Sequence, residues 1–322
     1  MKFLAWFQED KMRCSQCQNK ALIELQHGAV CSTHFLSYFE ERVFKTIKKY
    51  QMVGPEDKVC VACSGGKDSQ TVLYLIKKYF LQNHYDPKNI FVLSIDEGIK
   101  GYRSKTLQDL KKFCIQQKVT LKIISAKKEF KYTLDSALKI LKKNKSDCKP
   151  CHICGVWRRY LINKYARESH ATKLVTGHNL DDEAQAVVMN IFKANTSLSA
   201  HLGPISGIRD YDKFVRRVKP LYFCPEKEVK MYSLIKKFPV QFVECPYAEE
   251  GYRAKVRDML NDFETKYKGT KQGVISSFLQ VLPLIKEKEI HTNKNPLISC
   301  KRCKEPANQE MCHACKIVEM LK

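Results

Sequence analysis

Three groups of residues in this sequence have types and spacings that support chemistry. The first is Ser64-Gly-Gly-Lys-Asp-Ser69. Adjacent glycines let a backbone turn sharply and come close to an anion. If a helix opens here, its first amides and partial positive charge face that anion too. Lys67 adds a full charge, and Ser64 and Ser69 add hydroxyls. The expected ligand is a run of phosphates. The G-x-x-x-x-G-K-S/T loop of kinases and GTPases is absent, so the phosphate chemistry is of another kind.

The second group is Asp181-Asp182-Glu183, which follows Thr176-Gly-His-Asn-Leu180. These acids have two readings: N-capping and dipole compensation, or a carboxylate that holds Mg2+ on a nucleotide or orients a substrate.

The third group is the cysteines. Cys14-x2-Cys17-x13-Cys31-x2-His34 and Cys300-x2-Cys303-x8-Cys312-x2-Cys315 each supply four ligands in two close pairs, as tetrahedral zinc requires. A closed set leaves no position for substrate, so both zincs are expected to be structural; zinc knuckles also contact RNA. Cys148-Lys-Pro-Cys151-His-Ile-Cys154 lies before an expected helix, Val156–Glu168, that begins with Arg158 and Arg159. Those charges and the helix start favour thiolate. With Cys245 of Glu244-Cys-Pro246, Cys151 and Cys154 suit an iron–sulfur cluster with one open iron. A third zinc site, or unliganded core or redox thiols, are the alternatives. Cys148 stands in the lysine-rich stretch Asn144–Pro150 and is expected not to be a ligand. Cys60, Cys63, Cys114 and Cys224 read as ordinary buried thiols.

The elements that must position these groups alternate. Lys58–Cys63, Ile90–Ile95, Leu121–Ser125 and Lys173–Thr176 read as strands; Thr71–Tyr79, Thr106–Gln117 and Asp181–Phe192 read as helices. The pattern predicts an α/β fold with a parallel sheet wrapped on both faces. Ligands of such sheets sit at the carboxyl ends of the strands, where Ser64–Ser69, Ser94–Gly98 and Thr176–Glu183 fall. The expected divisions are an N-terminal knuckle with the helix Phe35–Tyr50 (1–50), a central domain (51–285) and a C-terminal knuckle (286–322), with a basic linker at 286–299.

Composition narrows the partners. The 322 residues carry a formal charge of +23, which favours polyanions, nucleic acid before membrane. No apolar run is long enough for a transmembrane helix, and MKFLAWFQEDK turns acidic too early for a signal peptide. The chain is expected to be cytoplasmic, where its fifteen cysteines serve as metal ligands or reactive thiols rather than disulfides.

Together these motifs resemble the TtcA/TtuA family of PP-loop tRNA thiolases, in the branch of cytoplasmic tRNA 2-thiolation proteins that act on the wobble uridine. The likeness runs from about Cys14 to Cys315. It is carried by SGGKDS, Ile95-Asp-Glu-Gly-Ile-Lys-Gly-Tyr-Arg103, Cys151-x2-Cys154-Gly-Val-Trp-Arg-Arg159, Gly177-His-Asn-Leu-Asp-Asp182, Glu244-Cys-Pro-Tyr-Ala248 with Gly251-Tyr-Arg253, and the two knuckles. The resemblance implies a PP-loop ATP pyrophosphatase domain (adenine nucleotide alpha hydrolase-like). It implies ATP, with Mg2+, held by Ala62, Ser64, Gly65, Gly66, Lys67, Asp68 and Ser69, with Ile95 lining the adenine pocket and Arg158, Gly177 and Asp182 completing the site. Cys151, Cys154 and Cys245 would ligate the cluster, expected as 4Fe-4S; Cys148 is an addition that puts the open iron in question.

The implied reaction is adenylation of the uridine C2 oxygen, an otherwise poor leaving group, followed by attack of cluster-held sulfide and loss of AMP. Lys67 and the loop amides would offset the charge of the departing pyrophosphate. The implied partners are tRNA, a thiocarboxylated ubiquitin-like protein or free sulfide as donor, and a second copy of the chain. The rivals are a cysteine persulfide route without a cluster, a T-loop uridine target, another PP-loop reaction, and a non-catalytic zinc-knuckle RNA scaffold.

Overall fold

The computed structural model describes residues 12–25, 27–208, 211–248, 251–292 and 297–322. The apolar start of the chain and residues 293–296 of the expected linker lie outside the described residues.

From the amino end, β1 (Ile23–Leu25) and β2 (Gly28–Val30) pair as a hairpin, and α1 (Ser32–Lys49) follows. Strands and helices then alternate through β3 (Val59–Ala62), α2 (Lys67–Gln82), β4 (Ile90–Asp96), α3 (Arg103–Gln116) and β5 (Thr120–Ser125). Next come the short α4 (Ala126–Phe130), α5 (Leu134–Lys143), α6 (Pro150–Glu168), β6 (Lys173–Thr176) and α7 (Leu180–Phe192). The chain continues through α8 (Thr196–Ala200), β7 (Arg216–Val218), α9 (Glu226–Ile235), α10 (Tyr252–Lys266) and α11 (Thr270–Thr292). It ends in the hairpin β8 (Ile298–Ser299) and β9 (Pro306–Ala307) and in α12 (His313–Glu319).

The central sheet is parallel, in the order β5-β4-β3-β6-β7. The chain steps outward from β3 to β4 and β5, then returns to the other side of β3 with β6. Such a reversal opens a crevice beyond the carboxyl ends of the strands. Alternation along each strand divides the apolar side chains between two cores. Val59, Val61, Val92 and Val175 pack with α1, α2, α3 and α9; Cys60, Phe91, Leu93 and Leu174 pack with α5, α6 and α12. Near-continuous apolar strands such as Ile90–Asp96 are what a sheet covered on both faces requires. A third core joins α7, α10 and α11.

Two expectations are corrected. The linker expected from residue 286 is helix through Thr292, despite Pro283 inside α11. Burial of Ile275, Phe278 and Leu282 holds the helix before the proline. Beyond it, Lys286 donates to the Gly207 carbonyl at 3.0 Å and Ser197 donates to Glu289 at 2.6 Å. The helix expected at 156–168 begins at Pro150, a residue suited to a first turn because its missing N–H has no helical partner there. Cys151 and Cys154 therefore stand on α6 itself. No described helix is long and apolar enough to cross a membrane.

Candidate functional site

The Ser64–Ser69 loop leaves the end of β3 and enters α2. Gly65 has φ +91°, and a Cβ there would lie 2.3 Å from the Thr106 carbonyl oxygen, so only glycine fits. No side chain caps α2, and its first amides face the crevice. Ser69 Oγ donates to the Gly66 carbonyl at 2.8 Å. Buried Arg103 ties the loop to its neighbours: it donates to the Ser64 and Ile95 carbonyls and to Ser94 Oγ, and it pairs with Glu97 at 2.9 Å. Gly177 closes the other side, where a Cβ would meet the Asp68 backbone at 2.8 Å.

Lys67 points to carboxylates, at 3.0 Å from Asp68 and 2.7 Å from Glu226. Burial works against its charge, but the two acids outweigh burial and raise its pKa. Asn179 donates to Asp68 at 3.1 Å. The three acids of α7 divide. Asp181 is held by Lys271 and by the Glu226 amide, and Glu183 is paired with buried Lys219 at 2.8 Å. Asp182 forms a capping box with Asn179, so the N-capping reading holds for it. It also faces Arg253 at 3.3 Å and shares the crevice with Asp68 and Glu226. Burial pushes its pKa up to about 6, against the pull of Arg253.

Ala62, Ser64, Ile95, Glu97, Arg103 and Arg158 line a cavity of about 20 Å³ beside the loop, room for one water molecule rather than a purine. Arg158 reaches Glu97 at 3.4 Å and is 44% exposed.

The two terminal ligand sets are assembled. In each, the four donor atoms lie within 4.8 Å of one another. Cys17 and Cys31 have sulfurs 3.7 Å apart, as do Cys303 and Cys312; tetrahedral zinc with bonds of about 2.3 Å asks for roughly this spacing. Burial raises the Cys14 thiol, but amides of Cys31, Gln16 and Cys17, together with His34, bring its pKa down to about 6. Burial likewise raises Cys300, and the amides of Cys312, Cys303 and Arg302 lower it to about 6.

Cys151, Cys154 and Cys245 do not close to that spacing. They are neighbours nonetheless. The Cys151 thiol donates to the Tyr247 carbonyl at 3.5 Å, and Cys154 and Cys245 pack against one core, as does Cys148. The wider spread fits a cluster of several irons, which holds its cysteines farther apart than one zinc ion does. The expected thiolate at Cys154 is corrected: burial pushes that thiol up to about 11, beyond what Arg158 offsets. Burial also raises Cys245 and Cys148. The helix start therefore does not by itself make Cys154 a thiolate. Cys60, Cys63, Cys114 and Cys224 are buried.

Sequence reasoning missed Glu226, Asn179, Glu97, Arg103 as an anchor and Gln70. Buried Gln70 donates to both the Gly65 and Pro239 carbonyls, linking the phosphate loop to the segment that carries Cys245. Glu97, Arg103 and Asn179 lie inside the motifs Ile95–Arg103 and Gly177–Asp182, which mark the stretch but not the roles, whereas Gln70 and Glu226 stand in no motif that singles them out.

Residues 37–261 match the family model of the PP-loop domain. A tRNA-5-methyluridine(54) 2-sulfurtransferase of Pyrococcus horikoshii is 35% identical, covering 95% of this chain and 93% of the relative. The cytoplasmic tRNA 2-thiolation protein 1 of Drosophila willistoni is 33% identical, covering 95% of this chain and 87% of the relative. Among solved structures, the U34-tRNA thiolase NcsA of Methanococcus maripaludis, with its 4Fe-4S cluster, aligns with a TM-score of 0.80 at 28% identity over 97% of both chains.

Proposed function

Because the chain belongs to the PP-loop domain family and, within it, to the tRNA 2-thiolation proteins, we infer that it is an ATP-dependent tRNA uridine 2-sulfurtransferase. The observation that carries this is convergence: the phosphate loop, Asp182 and the three central cysteines meet at one end of the sheet, with Arg158 between Glu97 and Cys154.

ATP would lay its phosphates on the amides of residues 64–69, with Lys67 moving from Glu226 to the phosphates. Asp68, Asp182 and Glu226 would hold Mg2+ on the nucleotide. Its adenine would enter beside Ile95 once Arg158 swings outward. The uridine O2 attacks the α-phosphorus and pyrophosphate leaves; Lys67 and the loop amides offset the charge it carries away. Sulfide then bonds to C2 as the C2–O bond breaks and AMP departs. Cys151, Cys154 and Cys245 would hold an iron–sulfur cluster, whose chemistry when bound is to present sulfide as a nucleophile. The terminal sets would hold two structural zinc ions.

We propose the wobble uridine as target, since the structurally aligned NcsA acts on U34; the Pyrococcus relative acts on position 54. Exposed Ile191, Phe192, Leu198 and Leu284 on α7, α8 and α11 support a homodimer. The proposed compartment is the cytoplasm, and the proposed donor is a thiocarboxylated ubiquitin-like protein or free sulfide. The test is incubation of anaerobically prepared protein with ATP, Mg2+, sulfide and an unmodified tRNA transcript. AMP formation that depends on tRNA, with 2-thiouridine at the wobble position, is the expected result. AMP without any thiouridine would point to another PP-loop reaction, and thiouridine at position 54 alone would reverse the target.

A further inference from the structure

Arg159 follows Arg158 on α6 and so points roughly 100° further round the helix, away from the Glu97 side. Asn163 lies one turn beyond Arg159 on the same face. Its amide donates to the Lys213 carbonyl at 2.9 Å and accepts from the Val215 amide at 3.1 Å. Two residues later along this extended chain, Arg217 returns to the side of Val215. Asn163 thus ties the α6 face that bears Arg159 to the strand that bears Arg217, and the two guanidiniums are near enough for the charge of Arg159 to bear on Arg217. A Cβ on Gly155 would lie 3.2 Å from Arg159 Nη1, which places that guanidinium over the start of α6, beside Cys154.

Neither arginine makes a hydrogen bond or ion pair with any described residue, and Arg217 Nε is buried without a partner. Partial burial of its guanidinium and the neighbouring Arg158 disfavour the charge of Arg159, an otherwise exposed residue; burial, Arg159 and Arg158 disfavour that of Arg217. Glu183, the acid that favours Arg217, is occupied by Lys219. His178 brings no compensating charge. Two neighbouring guanidinium forks without a counterion suit the oxygens of a phosphate.

We propose that Arg159 and Arg217 form a seat for one backbone phosphate of the RNA strand, adjacent to the nucleotide whose base enters the crevice. The nucleotide phosphates have their own loop on the β3 side of α6, whereas Arg159 is exposed at the β7 side, open to a large polyanion. The seat presupposes the tRNA-thiolation reading and fixes where the strand crosses the protein.

The test measures binding of an unmodified tRNA transcript against salt for the wild type, Arg159→Gln, Arg217→Gln and the double variant, with ATP binding in parallel. Each single change should weaken RNA binding roughly tenfold, as expected for a lost charged hydrogen bond. The double variant should reduce the slope of log affinity against log salt by about one. ATP affinity should stay constant. Arg159 is exposed, so Arg159→Gln keeps its fold even where Arg217→Gln does not. In a stem-loop RNA bearing the target uridine, one neutral methylphosphonate position should weaken wild-type binding and leave the double variant unaffected. Unchanged RNA affinity and salt slope in the variants would overturn the seat. Loss of ATP affinity alone would assign the pair to the nucleotide. A wild type that binds no tRNA would overturn the thiolation reading itself.

Discussion

Asp182 differs from its two neighbours in what the fold leaves it to do. Asp181 and Glu183 are consumed by Lys271 and Lys219, while Asp182 turns its carboxylate toward Asp68 and Glu226. Its folded pKa, about 6, lies above the ordinary 3.8. The folded protein therefore holds this proton more tightly than the unfolded chain does. That stabilisation is full below the unfolded value and is lost as pH rises through about 6. Magnesium needs the ionised form, so Mg2+-dependent ATP binding should strengthen as pH rises through about 6. Asp182→Asn should abolish that dependence without lowering the melting temperature at neutral pH. A nucleotide titration across this range checks it, and a flat wild-type profile would remove Asp182 from the metal. Gly177 gives a steric counterpart. Gly177→Ala would drive a methyl group into the Asp68 backbone. The loop should shift and thiolation fall on the order of a hundredfold, with circular dichroism unchanged; normal turnover would show that the two strand ends need not touch.

At the scale of elements, the proposed function puts the sulfur chemistry between α6 and the segment leading to Cys245. The spacing C-x2-C was legible in the sequence, as were the strand–loop–helix order around Ser64–Ser69 and four of the five strands of the central sheet, β3 to β6. The start of α6 was not, because Pro150 reads as a breaker until it is seen to occupy a first turn. The high Cys154 pKa was equally hidden, since it depends on burial by distant residues rather than on the neighbouring Arg158. Cys245 arrives on a segment that Gln70 holds through the Pro239 carbonyl and Asp109 holds through Gln241. Cys148 precedes the helix and packs on the same core. Alanine at Cys151, Cys154 or Cys245 should remove most cluster iron and all thiolation, while Cys148→Ala keeps both. Iron lost from Cys148→Ala and retained by Cys245→Ala would exchange the two ligands and overturn the assignment; iron lost from all four variants would close the open iron.

At the scale of the molecule, the two knuckles are built into opposite faces of the sheet rather than tethered to it. The first shares the core of α1 and α2; the second shares the core of α6. The C-terminal knuckle also braces α6 directly through the Arg167–Glu305 ion pair, and the turn between α4 and α5 through Tyr132 hydroxyl donation to the Leu321 carbonyl at 3.1 Å. The ligand sets could be read from spacing alone, but their docking could not, because it rests on apolar contacts such as Ile317 and Val318 that carry no motif. About two zinc ions per chain should therefore survive when air destroys the cluster. Cys312→Ser should lower both the melting temperature and cluster iron, since it unbraces the helix that bears Cys151 and Cys154. Metal analysis showing a normally folded chain without zinc would refute the structural role.

The central claim is that ATP activates the uridine oxygen itself. A tRNA transcript with oxygen-18 at uridine C2 follows that atom. With ATP, Mg2+ and sulfide under anaerobic conditions, AMP should carry the label in proportion to 2-thiouridine formed, and Lys67→Ala should give neither product while binding tRNA within a few fold, because phosphate contacts elsewhere dominate affinity. Unlabelled AMP, or thiolation that persists in Lys67→Ala, would contradict adenylation of the uridine at this loop.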